Sequence, residues 1–135
     1  MTQIRIPVAA DLLGVSDDTM RRWVDGGRLA TLPGDAPQSI DGAVLAAFAQ
    51  ELAAQSERPQ PQPVVRESAR NRFVGLVTRV VRDTVMAQVE IQAGPHRIVS
   101  LISREAADDL GLEPGVLAVA SVKSTNVVVE VPSRP

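Results

Sequence analysis

Three prolines alternating with polar residues, Pro59, Pro61 and Pro63 in the run SERPQPQPVV, interrupt this 135-residue chain near its middle. Proline fixes φ and lacks an amide donor, so neither a helix nor an interior strand continues through such a run, which favours an extended polyproline conformation. The chain is therefore expected to fold as two small units, residues 1–55 and 67–132, joined by a semi-rigid linker at residues 56–66. A unit of about 60 residues hides only roughly 60% of the surface its unfolded chain exposes. The 44% apolar content is enough for a core, but there is no Cys to staple it. Oligomerisation is the expected source of the missing buried area. Absence of Cys also removes disulfides, thiolate metal sites and cysteine nucleophiles, and fits a reducing compartment. The opening MTQIRIPVAADLL holds no apolar run long enough for a signal peptide or a membrane helix, so a cytoplasmic location with no membrane partner is expected.

Before the linker the apolar spacing is helical. Pro7 suits the first turn of a helix running through Val8, Ala9, Leu12 and Leu13, and Gly14 suits its left-handed cap. Ser16 is placed to cap a second helix, Asp17 to Asp25, whose first-turn acids complement its dipole. Gly26 and Gly27 stop it, Arg28 to Ile40 reads as a loop or small wing, and Asp41 is expected to cap a third helix with Val44, Leu45, Phe48 and Leu52 on one face. Two short helices joined by Gly-Val-Ser have the spacing of a helix-turn-helix.

Over residues 4–53, the segment VAADLLGVSDDTMRRWVDGGRLATL in particular, the chain resembles the excisionase and MerR-type winged-helix family. The resemblance implies double-stranded DNA as a partner, read by Thr19, Arg21 and Arg22 on the second helix with Arg28 beside the wing. Trp23 is read as core, packed under the wing. Where that family's wings are basic, this one reads Pro33-Gly34-Asp35-Ala36-Pro37-Gln38-Ser39, with an acid and no cation. Residues 1–58 carry five arginines against eight acids, a net of −3. Duplex affinity scales logarithmically with about 0.9 per neutralised phosphate, so DNA binding on so few cations requires a dimer.

After the linker the period changes to two. Val74, Leu76, Thr78 and Val80 alternate with their neighbours, and after a turn at Asp83 so do Val85, Ala87, Val89 and Ile91. Gly94-Pro95 leads into a third strand, Arg97 to Ile102. Ser103 is placed to cap a short helix ending at Gly111, and strands Leu117 to Val122 and Val127 to Val131 follow. Five strands with one helix between the third and fourth give the order of a small OB-like barrel. The expected fold class is thus α+β, a winged helix-turn-helix domain followed by a five-stranded OB-like β-barrel.

Two segments of this half carry the chemistry. Ser68-Ala69-Arg70-Asn71 opens the first strand and Lys123-Ser124-Thr125 follows the fourth. Each pairs one permanent cation with small hydroxyls, which suits a tetrahedral dianion better than a catalytic reaction. Enzyme readings find little support: His96 stands alone in a turn, the pairs Asp17-Asp18 and Asp108-Asp109 read as solvated charge, and no P-loop, GxGxxG or metal motif is present. Single-stranded nucleic acid would need aromatic platforms, and residues 66–135 hold only Phe73.

Residues 68–131 resemble the molbindin, or Mop/TOBE, family. The SARN opening with Gly75, the segment Ile102-Ser103 to Leu110-Gly111, and the ending Lys123-Ser124-Thr125 with Val127 carry that likeness. The resemblance implies molybdate or tungstate as bound ligand, held between subunits of a homo-oligomer (dimer or trimer of dimers). One subunit would supply Ser68, Ala69 and Arg70 and another Lys123, Ser124 and Thr125. Asn71, Ser100 and Ser103 are weaker candidates, Asn71 as a turn-ordering side chain and Ser103 as a helix cap. Together the halves suggest a molybdate-responsive, DNA-binding transcriptional regulator. The alternative is a molybdate-binding or storage protein whose N-terminal domain contacts other proteins.

Overall fold

The computed structural model describes residues 2–34, 37–56 and 68–132. The chain separates into two compact units, Met1–Arg58 and Pro59–Pro135. The Pro-rich linker, from residue 57 onward, and Asp35 and Ala36 of the expected wing lie outside the described residues.

In the first unit, β1 (Gln3–Arg5) runs into α1 (Ile6–Leu13), followed by α2 (Asp17–Asp25), β2 (Ser39–Asp41) and α3 (Gly42–Ala54). Gly14 takes φ 69° and ends α1 as its sequence implies. The Ser16 hydroxyl accepts the Thr19 amide at 3.1 Å, fixing the start of α2. The core is Ile6, Ala9 and Ala10 of α1, Met20 of α2, Leu29, Ile40, and Leu45 and Phe48 of α3. The face of α1 is therefore rotated from the expected one: Val8 and Leu12 point to solvent, and so does Val44 on α3. Ile6, outside the expected run, begins the helix and sets that rotation. Trp23 packs edge-on to Phe48, ring centroids 5.1 Å apart, as a core residue should.

Asp41 is the N-cap residue of α3, as expected, but one unforeseen strand pairing alters the wing and the cap alike. β1 is too short to show a period, yet it pairs antiparallel with β2, Ile4 opposite Ile40. The end of the supposed wing is thereby drawn into a ribbon with the chain's start. Asp41 sits in that ribbon opposite Gln3 and its side chain makes no cap bond to α3. The Thr2 carbonyl instead accepts the first helical amide, that of Gly42, at 2.8 Å.

The second unit is one antiparallel sheet in the order β5-β4-β3-β6, built from β3 (Ala69–Arg82), β4 (Met86–Ala93), β5 (His96–Ser103) and β6 (Leu117–Lys123), with α4 (Arg104–Asp109) between β5 and β6. β3 is long enough to serve two partners. Its start pairs with β6, from Ala69 opposite Lys123 to Leu76 opposite Leu117, and its end pairs with β4, from Leu76 opposite Gln92 to Arg82 opposite Ala87. The handover sits at Leu76, and at Gly75 just before it an added Cβ would lie 2.4 Å from the Gln92 carbonyl oxygen. Just beyond it, a register shift between Val77 and Arg79 curls the sheet.

Val77, Val89 and Ile91 form the buried centre, flanked by Val80, Ile102, Leu112, Val116, Ala118 and Ala120. Ser103 caps α4 by accepting the Ala106 amide at 3.0 Å, and Arg82 anchors the far end of that helix through Asp108 at 3.0 Å and the Leu112 carbonyl at 2.8 Å. Glu90, buried, is flanked by Arg79 and ion-paired with Arg97. Val85, expected in the second strand, lies exposed in the turn, where Asp83 accepts the Val85 and Met86 amides at 2.8 and 2.6 Å.

The expected fifth strand is absent. After β6 the chain makes a 3-10 turn, Ser124–Asn126, and residues 127–131 join no sheet in this chain, so the described residues form an open sheet of four strands. Val, Val, Val and a later Val give strand propensity but no partner.

Gly75→Ala is expected to destabilise the C-terminal unit by about 1–3 kcal/mol, the usual cost of overpacking, read from urea denaturation followed by far-ultraviolet dichroism. Asp83 gives a second expectation. The Met86 and Val85 amides, then the Arg104 guanidinium, hold its carboxyl below its ordinary value. A depressed folded-state pKa contributes stability above the unfolded value and loses it as pH falls through the folded one. Asp83→Asn keeps an acceptor oxygen but not the charge. Its stability should therefore fall less steeply than wild type as the pH drops below about 4.

Candidate functional site

The two segments with paired cations and hydroxyls meet at one end of the β3–β6 pair. Because β6 returns antiparallel along β3, the end of one strand coincides with the start of the other, and Ala69 lies opposite Lys123. The resemblance to the molbindin family led us to expect these segments on different subunits. Here a single chain brings them together.

Local irregularity positions the cation on β3. Register passes from Ala69 opposite Lys123 directly to Asn71 opposite Val122, leaving Arg70 as the extra residue of a bulge. Bulges re-aim the side chains they carry. The Asn71 amide donates to the Val122 carbonyl at 3.1 Å and so holds the bulge closed against β6, in keeping with an ordering role rather than ligand contact. Ser68 and Arg70 are exposed and Ala69 is buried, its contribution being confined to the backbone. Lys123 is the last residue of β6, and Ser124 and Thr125 form the exposed 3-10 turn that follows.

Arg72, opposite Ser121, adds a third basic residue to this end of the pair. Sequence reading passed over it, although its place two residues after Arg70 was the available signal. Ser100 lies elsewhere, in the middle of β5 opposite Val89, and Ser103 is occupied in capping α4.

Chemically this end offers charge-assisted donors and no titrating acid–base pair. Guanidinium, ammonium and hydroxyl groups bind an oxyanion strongly when they converge. His96 is an exposed residue at the start of β5, and no group of acids or histidines among the described residues has the geometry to hold a metal ion.

A second feature was not legible in advance. An open apolar trough of about 500 Å³ runs along the C-terminal unit, floored by Val89 and Ile91 and walled by β5 and β6.

The residues expected to read DNA make local contacts within the N-terminal unit. Thr19 shares a 3.0 Å hydrogen bond with Ser16 and accepts from the Arg22 guanidinium at 3.2 Å. Arg28 lies over the aromatic pair, 5.7 Å from the Trp23 ring centre and 5.2 Å from that of Phe48. Its charge is engaged in cation–π contact. Arg21 is exposed and shares the lining of an open hollow with Arg5, Pro7, Gly34, Pro37 and Gln38.

Comparison with known proteins bears on the C-terminal unit. The model of the TOBE domain matches residues 67–129. Molybdenum-pterin-binding protein 3 of Clostridium pasteurianum is 38% identical over 63 residues, which are 46% of this chain and 93% of that protein. Molybdenum-pterin-binding protein 2 of the same organism matches at 38% over 63 residues with the same coverage, 46% and 93%. Among solved structures, the molybdate-binding protein from Sporomusa ovata is 31% identical, with 50% of this chain and 100% of that chain covered at a TM-score of 0.48. With nearly the whole length of the Clostridium relatives aligned onto the C-terminal unit at this identity, the chain belongs to the TOBE-domain family.

Proposed function

We propose that this protein binds molybdate, or tungstate, as a tetrahedral dianion at the end of the β3–β6 pair, and does so as a binding or storage protein rather than as an enzyme. The observation that carries this reading is the pairing of Ala69 with Lys123 within one chain, with Arg70 set out on the bulge beside it. In the proposal, Arg70 and Lys123 neutralise the dianion, the hydroxyls of Ser68, Ser124 and Thr125 donate to its oxygens, and the Ala69 amide supplies a backbone donor. Relatives whose names state molybdenum-pterin or molybdate binding support the choice of anion. A dianion removed from water needs such compensation or its desolvation is prohibitive. The N-terminal unit then serves as a docking module for another protein.

A second reading makes the N-terminal unit a helix-turn-helix that binds duplex DNA and the whole chain an anion-responsive regulator. One observation favours it: α2 follows the tight Gly14–Ser16 turn and presents Arg21 and Arg22 at its surface. The engagement of Thr19 with Arg22 and of Arg28 with the aromatic pair leaves it with fewer cations for phosphate than the sequence suggests.

Isothermal titration tests the first reading. Molybdate should bind with sulfate much weaker, and Arg70→Ala or Lys123→Ala should each cost about 1.5–3 kcal/mol, the range for hydrogen bonds to charged groups, or roughly ten- to a hundredfold in affinity. Equal affinity for sulfate and molybdate would remove the reading. Because both cations stand in one chain, co-assembling the two single variants should restore no high-affinity sites, and recovery of sites on mixing would mean that the dianion is held between chains.

Gel-shift titration tests the second reading. A regulator should shift fragments of its own upstream DNA at low salt, with binding that Arg21→Ala abolishes and that leaves molybdate affinity unchanged. No shift with or without molybdate leaves the docking module.

A further inference from the structure

The cations of the first unit sort into two groups. Among the described residues its arginines are Arg5, Arg21, Arg22 and Arg28. The Arg22 guanidinium donates to Thr19, and that of Arg28 lies over the Trp23 and Phe48 rings. Arg5 and Arg21 are exposed, and among the described residues no hydrogen bond, ion pair or ring contact holds either guanidinium. These two are the ones that line a single hollow of about 520 Å³.

Separate segments build that hollow. Arg5 ends β1 and Pro7 stands in the first turn of α1, Arg21 comes from α2, and Gly34, Pro37 and Gln38 come from the stretch before β2. The β1–β2 ribbon holds Arg5 opposite Ser39, and the buried Met20 beside Arg21 anchors α2. The backbone of both cations is therefore fixed before anything binds, which lowers the ordering cost of binding. Among the described residues no acid lines the hollow.

A concavity of this size takes a small ligand or a few side chains. The planar fork of a guanidinium matches a carboxylate, and two forks on separate elements match two of them. We propose that this hollow receives an acidic stretch of a partner protein, with Arg5 and Arg21 each pairing a carboxylate and Pro7 and Pro37 packing against the apolar atoms between. The inference rests on the docking-module reading of the N-terminal unit and gives the partner its chemistry. Charge distribution favours a short segment over a duplex. Residues 1–58 hold five arginines against eight acids, and Asp17, Asp18 and Asp25 stand on the same helix as Arg21. Duplex DNA presents a negative charge about every 1.7 Å along its axis, so it meets those acids together with the arginines. A short acidic stretch meets the hollow alone.

Fluorescence anisotropy of a dye-labelled hexaglutamate peptide, titrated with the full chain, tests this. Hexaglutamate should bind and hexaglutamine should not. Arg5→Gln and Arg21→Gln should each weaken binding about fivefold, the upper range for one exposed ion pair, and the double variant should abolish it. Arg22→Gln, on the same helix but outside the hollow, should leave it unchanged. No binding, indifference to both replacements, or an equal loss in Arg22→Gln would each overturn the proposal. Displacement of the peptide by phosphate or molybdate at equal concentration would overturn it in favour of a small-anion site. Far-ultraviolet dichroism checks the fold, and because the two arginines stand on different elements, a variant that unfolds leaves the other to decide. The gel shift keeps failure of the docking module distinct. A duplex shift that Arg21→Gln abolishes overturns the module, whereas no shift together with no peptide binding overturns the acidic partner alone.

Discussion

At Gly75, β3 passes so close to β4 that a methyl group would meet the Gln92 carbonyl oxygen at 2.4 Å. That close approach lets one strand be handed from β6 to β4 near its midpoint, and the rest of the C-terminal unit follows from the handover. The bulge at Thr78 curls the second half, and the Val77 amide and carbonyl then bond Val116 and Gly115, closing the connection from α4 onto the strand. The first half is left to pair with β6 alone, and this brings Ala69 opposite Lys123. A backbone contact in the middle of the sheet thus sets the geometry of the candidate anion site at its end.

The small core makes that geometry dependent on its polar fastenings. Among the described residues, Val77, Val89 and Ile91 form the buried cluster of this unit, and burial of one such side chain contributes about 1.5–3 kcal/mol. Asn71 on Val122, Arg82 on Asp108 and Leu112, and Asp83 on its own turn tie together segments that so few apolar side chains do not hold alone.

Features encoded in adjacent residues were legible in the sequence: the Gly14 and Ser16 caps, α2 from Asp17 to Asp25, the hairpin turn at Asp83, and Ser103 at the head of α4. Each depends on bonds spanning a few positions. Features encoded across the chain were not. β1 pairs with β2 across more than thirty residues of sequence, and Asp41, though at the N-cap of α3, makes no side-chain cap bond. The valine run after Asn126 has the composition of a strand, but composition does not supply a neighbour. For the candidate anion site, the residue types could be read directly, whereas the juxtaposition of the two segments depended on antiparallel return over some fifty residues. The place of Arg28 over two rings was not legible, because a cation beside a wing and a cation over an aromatic pair look alike in one dimension.

Trp23, edge-on to Phe48 beneath Arg28, is the chain's single indole, and there is no tyrosine. The aromatic residue of the described C-terminal unit is Phe73. Emission excited at long ultraviolet wavelength therefore comes from the helical unit alone, while the sheet is dark. Indole fluorescence thus follows the melting of the helical unit alone, and far-ultraviolet dichroism follows the sheet with it, without a label or a cut in the chain.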